Sequence, residues 1–169
     1  LIRPTGLAVD RKRKRLYVTD TLGGKIFIFD LKGKKIGSIE GGFNKPTYLN
    51  LDGEGNLYIS DSLNAKVRVF SPEGRELFSF GKRGNTIGTF ANPRGIAVDR
   101  DGHIYVADSL LSAVQIFDRK GQLLLVIGRF GKAEGEFAFP MDIFINGNRI
   151  YIADSYNARV VVLRYLGGD

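Results

Sequence analysis

One five-residue string, Leu-Tyr-Val-Thr-Asp at Leu16–Asp20, returns three times along this chain. The copies run Leu57–Asp61, Ile104–Asp108 and Ile150–Asp154, and their closing Asp residues follow one another at intervals of 41, 47 and 46 positions. Pro4, Pro46, Pro93 and Pro140 keep the same beat, each opening an apolar run. A large apolar residue stands nine positions after every Asp, at Phe29, Phe70, Phe117 and Leu163. A period in this range means an array of one supersecondary unit, each copy burying its apolar face on its neighbours.

Each period divides into four short extended pieces. In the third copy these are Gly95–Asp99, His103–Asp108, Ala113–Phe117 and Gln122–Ile127, rich in Val, Ile, Tyr and Phe and without helical periodicity. The joints between them carry Gly102 and Gly121, which supply the positive φ of tight hairpins. Four antiparallel strands per repeat is the blade of a β-propeller. Solenoid repeats, built from strand-plus-helix or helix-pair units, do not give four strands per period. The expected fold is all-β: a propeller of four-stranded antiparallel blades spanning 1–169, with repeats at about 4–42, 43–90, 91–137 and 138–169.

Composition narrows the chemistry. The 169 residues are enough for one well-buried domain. No apolar run approaches the ~20 residues that span a bilayer, so no transmembrane segment is expected. With no cysteine, disulfides, thiolate catalysis and Cys-ligated metals are excluded. The single histidine, His103, sits at a hairpin where the other copies have Arg15, Asn56 and Arg149, and is expected to face solvent. No Gly-x-Ser-x-Gly elbow, Cys/His pair or phosphate-binding glycine loop is present.

The pattern Pro-x-Gly-Ile-Ala-Val-Asp from Pro93, then Gly-x-Ile-Tyr-Val-Ala-Asp-Ser from Gly102, then a Val-x-Ile-Phe strand and a closing Gly128, resembles the NHL repeat. The connector from Gly81 to Pro93 is similar to the loop between NHL blades, and the resemblance extends over essentially the whole chain. The absence of Trp sets the chain apart from WD-type and Trp-docking propellers. The resemblance implies six blades where four copies are present, so the ring is expected to be incomplete, the last repeat lacking its outer strand. A closed four-bladed ring, or one completed by another chain, is the alternative. The resemblance also points to an extracytoplasmic or secreted setting. Its family includes a zinc-dependent amidating lyase, whose histidines this chain cannot supply, and lactonase-like enzymes, for whose calcium Asn50 and Asp142 alone are insufficient. No cofactor, metal or catalytic residue is assigned.

Three sets of residues are candidates for function. The Asp residues that end the repeated string, Asp20, Asp61, Asp108 and Asp154, are each followed by Thr or Ser, and read as turn-formers that accept backbone N–H groups. The copies disagree at the start of the inner strand, where Gly6 and Gly95 are matched by Tyr48 and Asp142, Ala8 and Ala97 by Asn50 and Phe144, and Thr5 and Thr47 by Arg94. Tyr48, Asn50, Arg94 and Asp142 are therefore the candidate ligand-binding set at the channel mouth, unless they are packing adjustments between unlike blades. Charge supplies the third set. Residues 1–42 hold ten basic and four acidic groups, a surplus of six within a net charge of +7. Arg11, Lys12, Arg13, Lys14 and Arg15, with Lys32, Lys34 and Lys35 at the next hairpin of the same end, are candidates for polyanion binding. No aromatic residue is interleaved among them for base stacking.

The function expected on these grounds is a non-catalytic protein-interaction scaffold. Its partner would be another protein or further blades of the same propeller. The alternatives are a lyase- or lactonase-like enzyme with a polar channel-mouth site, and a module binding RNA, an acidic partner or another polyanion through blade one.

Overall fold

The computed structural model describes residues 1–165, and these form fifteen β-strands in four antiparallel sheets. Blade one holds β1 (Pro4–Asp10), β2 (Arg15–Asp20), β3 (Lys25–Asp30) and β4 (Lys35–Ile39). Blade two holds β5 (Pro46–Leu51), β6 (Leu57–Asp61), β7 (Lys66–Phe70) and β8 (Glu76–Phe80). Blade three holds β9 (Pro93–Val98), β10 (Ile104–Asp108), β11 (Ala113–Phe117) and β12 (Leu123–Ile127). Blade four holds β13 (Pro140–Asn146), β14 (Arg149–Asp154) and β15 (Arg159–Arg164). Strand order within each sheet follows the sequence. The place expected for a missing outer strand in blade four falls at 166–169, outside the described residues.

The innermost strands pack side by side, β1 on β5, β5 on β9 and β9 on β13, so the blades fan around a common axis as an incomplete β-propeller. Two glycines make that approach possible. A Cβ on Gly6 would lie 2.6 Å from the Thr47 carbonyl oxygen, and one on Gly95 only 2.5 Å from the Asp142 Cα. Between blades, the period-2 alternation of each strand delivers one row of side chains to each neighbour. Blades one and two meet through Tyr17, Ile26, Leu49, Leu57, Ile59 and Phe70. Blades two and three meet through Tyr58, Val67, Val69, Ile96, Ile104 and Phe117, and blades three and four through Tyr105, Val114, Ile143, Ile150 and Ile152.

The two outermost faces keep the same pattern but have no neighbour among the described residues. Leu7 and Val9 on blade one are 68% and 45% exposed, whereas Leu49 and Ile96, which hold the place of Leu7 in the next blades, are 5% and 2%. On blade four Phe144, Val160 and Val162 are 60%, 65% and 52% exposed, while Val67 and Val114, in the place of Val160, are fully buried.

Each blade has two ends. At one, the hairpin face, lie the turns joining first to second and third to fourth strands. At the other, the connector face, lie the turns joining second to third strands and the segments that pass from blade to blade. The three-residue loops at Gly53–Gly55 and Arg100–Gly102 end on Gly55 and Gly102, with φ of +89° and +83°. Blade one has a loop one residue longer, and Lys14 takes the left-handed conformation there at φ 55°. The short 3-10 turns Ser62–Asn64 and Ser155–Asn157 on the connector face are the only departures from strand and loop among the described residues.

Candidate functional site

The repeated Asp residues are more than turn-formers. Asp108 is fully buried and accepts from the backbone N–H groups of Leu110 and Leu111 in its own turn, and from Ala91 and Asn92 at 2.8 and 3.0 Å. The latter two lie in the segment entering the same blade, 16–17 residues back. Asp20 does the same with Gly23 on one side and Ile2 and Arg3 on the other. Asp61 takes Asn44 and the Asn64 side chain, and Asp154 takes Ala138, the Asn157 side chain and Arg159. Every blade is thus clasped at its connector end by one buried carboxylate whose hydrogen bonds are to its own turn and to the segment entering the blade, a structural role. Burial pushes the pKa of Asp61 and Asp108 up and outweighs their hydrogen bonds, whereas at Asp20 and Asp154 burial is overcome by the donors and the pKa falls.

The four variable inner-strand residues differ in surroundings. Tyr48, Asn50 and Asp142 line one cavity of about 310 Å³ on the axis, together with Thr5–Leu7, Ile96 and Phe144. Arg94 does not line it, but lies close enough to Tyr48 to act on its hydroxyl electrostatically, as Asp142 does. Burial raises the Tyr48 pKa, the Asp142 carboxylate adds to the rise and the Arg94 charge opposes it. Asp142 reaches solvent through the cavity yet is enclosed enough that burial raises its pKa, against one hydrogen bond from the Ile143 N–H. Asn50 is committed in part, its Oδ1 accepting from Val98 N–H at 3.3 Å. The Nε of Arg94 is buried with no hydrogen-bond partner among the described residues.

The basic hairpins emerge at one end, as the alternation of turns requires. Several of their cations are engaged with protein. Arg13 pairs with Asp10 at 3.0 Å, Lys12 donates to the Gly53 carbonyl, and Arg15 donates to the Pro72 carbonyl. Lys35 lies 4.5 Å from the centre of the Phe27 ring. Arg11, Lys14, Lys32 and Lys34 are exposed.

His103 is half-buried, its Nδ1 2.9 Å from Asp99 Oδ2, and Asp101 completes a group with metal-ligand types. Blade two carries the same network without a histidine. Asp52 accepts from the backbone of Glu54 and Asn56, the Asn56 side chain and the Tyr58 hydroxyl, as Asp99 does from Asp101, His103 and Tyr105. The group serves the hairpin.

Two features of the connector face escape a reading by strand pattern. Gln115 is fully buried and fixes the blade-two-to-three connector, accepting from Gly88 N–H at 2.7 Å and donating to the Thr89 carbonyl at 2.8 Å. Large apolar side chains also sit exposed at the turn tips, Leu22, Leu63, Leu110 and Tyr156 among them. Their equal offset from each clasping Asp was the available signal. No helix among the described residues is long and apolar enough to cross a membrane.

A family model described as a 6-bladed beta-propeller, DUF5128, matches residues 99–165. No curated protein matches the chain. Among solved structures, a protein of unknown function from Bacteroides thetaiotaomicron is similar at 23% identity and a TM-score of 0.76, over 93% of this chain and 46% of its own. A streptogramin B lyase is similar at 14% identity and a TM-score of 0.74, over 98% and 55%. A virginiamycin B lyase from Staphylococcus aureus is similar at 15% and 0.71, over 97% and 56%. The chain spans about half the length of these structures. At such identities the likeness shows the fold alone, and that fold is the β-propeller.

Proposed function

We propose that this chain is a non-catalytic interaction scaffold of NHL-type blades, with repeats at about 4–42, 43–90, 91–137 and 138–169, and that its two outermost faces seat further blades. The observation that carries this reading is the contrast in exposure between equivalent positions. Leu7 and Val160 hold places that are buried at every internal interface, by Leu49, Ile96 and Ile143 and by Ile26, Val67 and Val114, and Val9, Phe144 and Val162 flank them in the same exposed rows. Covering one such side chain stabilises by roughly 1.5–3 kcal/mol, so an uncovered row is a strong drive to association. The 6-bladed description of the matching family model supports two additional blades as the occupant. The likeness to the lyases supplies a fold and no activity, since their identity to this chain is 14–15%.

Sedimentation tests the reading. The 169-residue chain is expected to self-associate, and Leu7→Asp with Val162→Asp to return it to a monomer without loss of secondary structure. A wild-type chain that stays monomeric at high concentration would overturn it.

A second reading concerns the axis and rests on Arg94, whose buried Nε has no partner among the described residues. Tyr48, Asn50, Arg94 and Asp142 then hold a small polar ligand in or beside the 310 Å³ cavity. Arg94→Gln and Asp142→Asn should remove stabilisation of the protein by such a ligand in a melting screen. Hits that stabilise both variants as much as wild type would exclude it.

A further inference from the structure

At its turns and blade-to-blade segments, besides Leu1 and Ile2, the connector face carries six large apolar side chains in solvent. Four hold the same place in every blade, the second residue after the clasping Asp: Leu22, Leu63, Leu110 and Tyr156, between 43% and 75% exposed. Ile87 and Phe130, in the connectors that leave blades two and three, are 68% and 74% exposed. The turn requires this place to be exposed, because the Asp and the left-handed residue that ends the turn (Gly24, Ala65, Ser112 or Ala158) hold it together. Nothing in the turn requires it to be apolar. Six such side chains project from one face, each from its own turn or connector.

The charges beside them indicate what it binds. Lys25, Arg129 and Arg159 are neutralised by Glu40, Glu136 and Asp154. Lys66, Lys82 and Lys132 are exposed and have no acidic partner among the described residues. We propose that the connector face docks on an anionic lipid surface, the apolar tips entering the headgroup–acyl boundary and the lysines meeting lipid phosphates and carboxylates. A protein partner is the lesser fit. Cores of protein interfaces are depleted in Lys and built from anchors seated in pockets. Here each apolar chain stands singly at a turn tip, and none of the six lines the axial cavity or the other principal cavities. Lysine stems let their ammonium groups reach headgroups while apolar neighbours sit deeper. Tyr156, stacked on Phe139 with ring centres 4.5 Å apart, is the aromatic type that favours the interface.

Flotation with vesicles of phosphatidylcholine containing about 30 mol% phosphatidylserine tests the proposal. The wild-type chain should float with these vesicles and not with pure phosphatidylcholine, and binding should weaken by about tenfold or more as salt is raised from about 0.05 M to 0.3 M. Leu63→Ser with Leu110→Ser and Tyr156→Ser should reduce binding about tenfold with melting unchanged. Since the chain has no cysteine, one introduced thiol reports depth. An environment-sensitive dye on Leu63→Cys should shift blue with vesicles, and the same dye on Lys34→Cys, on the opposite face, should not. Failure of the wild type to float overturns the proposal, as does a blue shift at position 34 with none at 63. Floating that the apolar substitutions leave unchanged reduces the effect to general basicity and also overturns it; a dye that shifts with an acidic polypeptide but not with vesicles assigns the face to a protein. Ring closure is read by sedimentation, so failure here leaves the scaffold reading standing.

Discussion

The two ends of the blades use the same residue, Asp, at different range. On the hairpin face Asp30, Asp52, Asp99 and Asp118 accept from backbone N–H groups two and four positions ahead, closing their own turns, and Asp52 and Asp99 reach no further than the Tyr58 and Tyr105 hydroxyls six positions on. On the connector face Asp20, Asp61, Asp108 and Asp154 reach 16–18 residues back and tie the chain entering a blade to its second strand. The first kind fixes a loop and the second fixes a blade. Charge divides the same way: the hairpin face carries the exposed cations of blade one, and the connector face carries the exposed apolar tips.

The largest expected effect follows from the clasp. Asp108→Ala leaves several buried N–H groups without an acceptor and should cost about 3–5 kcal/mol, while Asp118→Ala, its counterpart at an exposed turn, should cost about 1 kcal/mol or less. Urea unfolding of the two variants measures the difference, and equal costs would break the comparison. Next in size is Gly95→Val, expected to cost about 1–3 kcal/mol or more because its side chain would enter the backbone of β13. Gly53→Ala on the hairpin face meets nothing within 4 Å and should be neutral or slightly stabilising. An unchanged melting temperature for Gly95→Val would refute the inner-strand packing.

Acid sharpens the contrast further. The folded pKa of Asp20 is depressed, so its stabilisation is full above the unfolded value near 3.9 and is lost as pH falls through the lower folded value. The advantage of wild type over Asp20→Asn should therefore shrink below about pH 4. An advantage that grows on acidification would reverse the sign of the assigned shift.

Reversing charge at Arg11, Arg13 and Arg15 should move stability by no more than about 0.5 kcal/mol at exposed Arg11, and by more at Arg13, which pairs with the buried Asp10 carboxylate, and at Arg15, which donates to the Pro72 carbonyl. It should flatten the salt dependence of heparin binding, because fewer counterions are released. Arg94→Gln should leave that dependence unchanged. A further contrast is internal to the hairpin face. Tyr105 donates to Asp99, but the Tyr17 hydroxyl is buried without a partner among the described residues, and Asp10, which holds the place of Asp99, is engaged by Arg13. Tyr105→Phe should cost about 1 kcal/mol and Tyr17→Phe nothing or less than nothing; comparable losses at both would show that Tyr17 has a partner after all.

The strands and their four-fold order could be read in the sequence because alternation and turn chemistry are local. The clasp could not: the 16-residue reach of Asp108 exists only once β9 and β10 are paired, and in sequence Asp108-Ser109 looks like any Asx turn. The channel-mouth set was found by disagreement among repeats, and three of its members do share a cavity. Arg94 stands apart: it holds the place of Thr5 and Thr47, one residue before the place of Tyr48 and Asp142. The tethering of Arg13 and Arg15 was hidden for a related reason, since Asp10 is a neighbour in sequence but Pro72 belongs to the next blade.

Because each clasp joins residues of one repeat, and never of two, a blade carries its own fastening. Cutting the array between blades severs no clasp, and copying a stretch of 41 to 47 residues copies a complete one. A gene that gains or loses one period gains or loses a self-locked unit, whose only unmet demand is a neighbour on each flank. Growth by duplication is in this way written into a single buried carboxylate per blade.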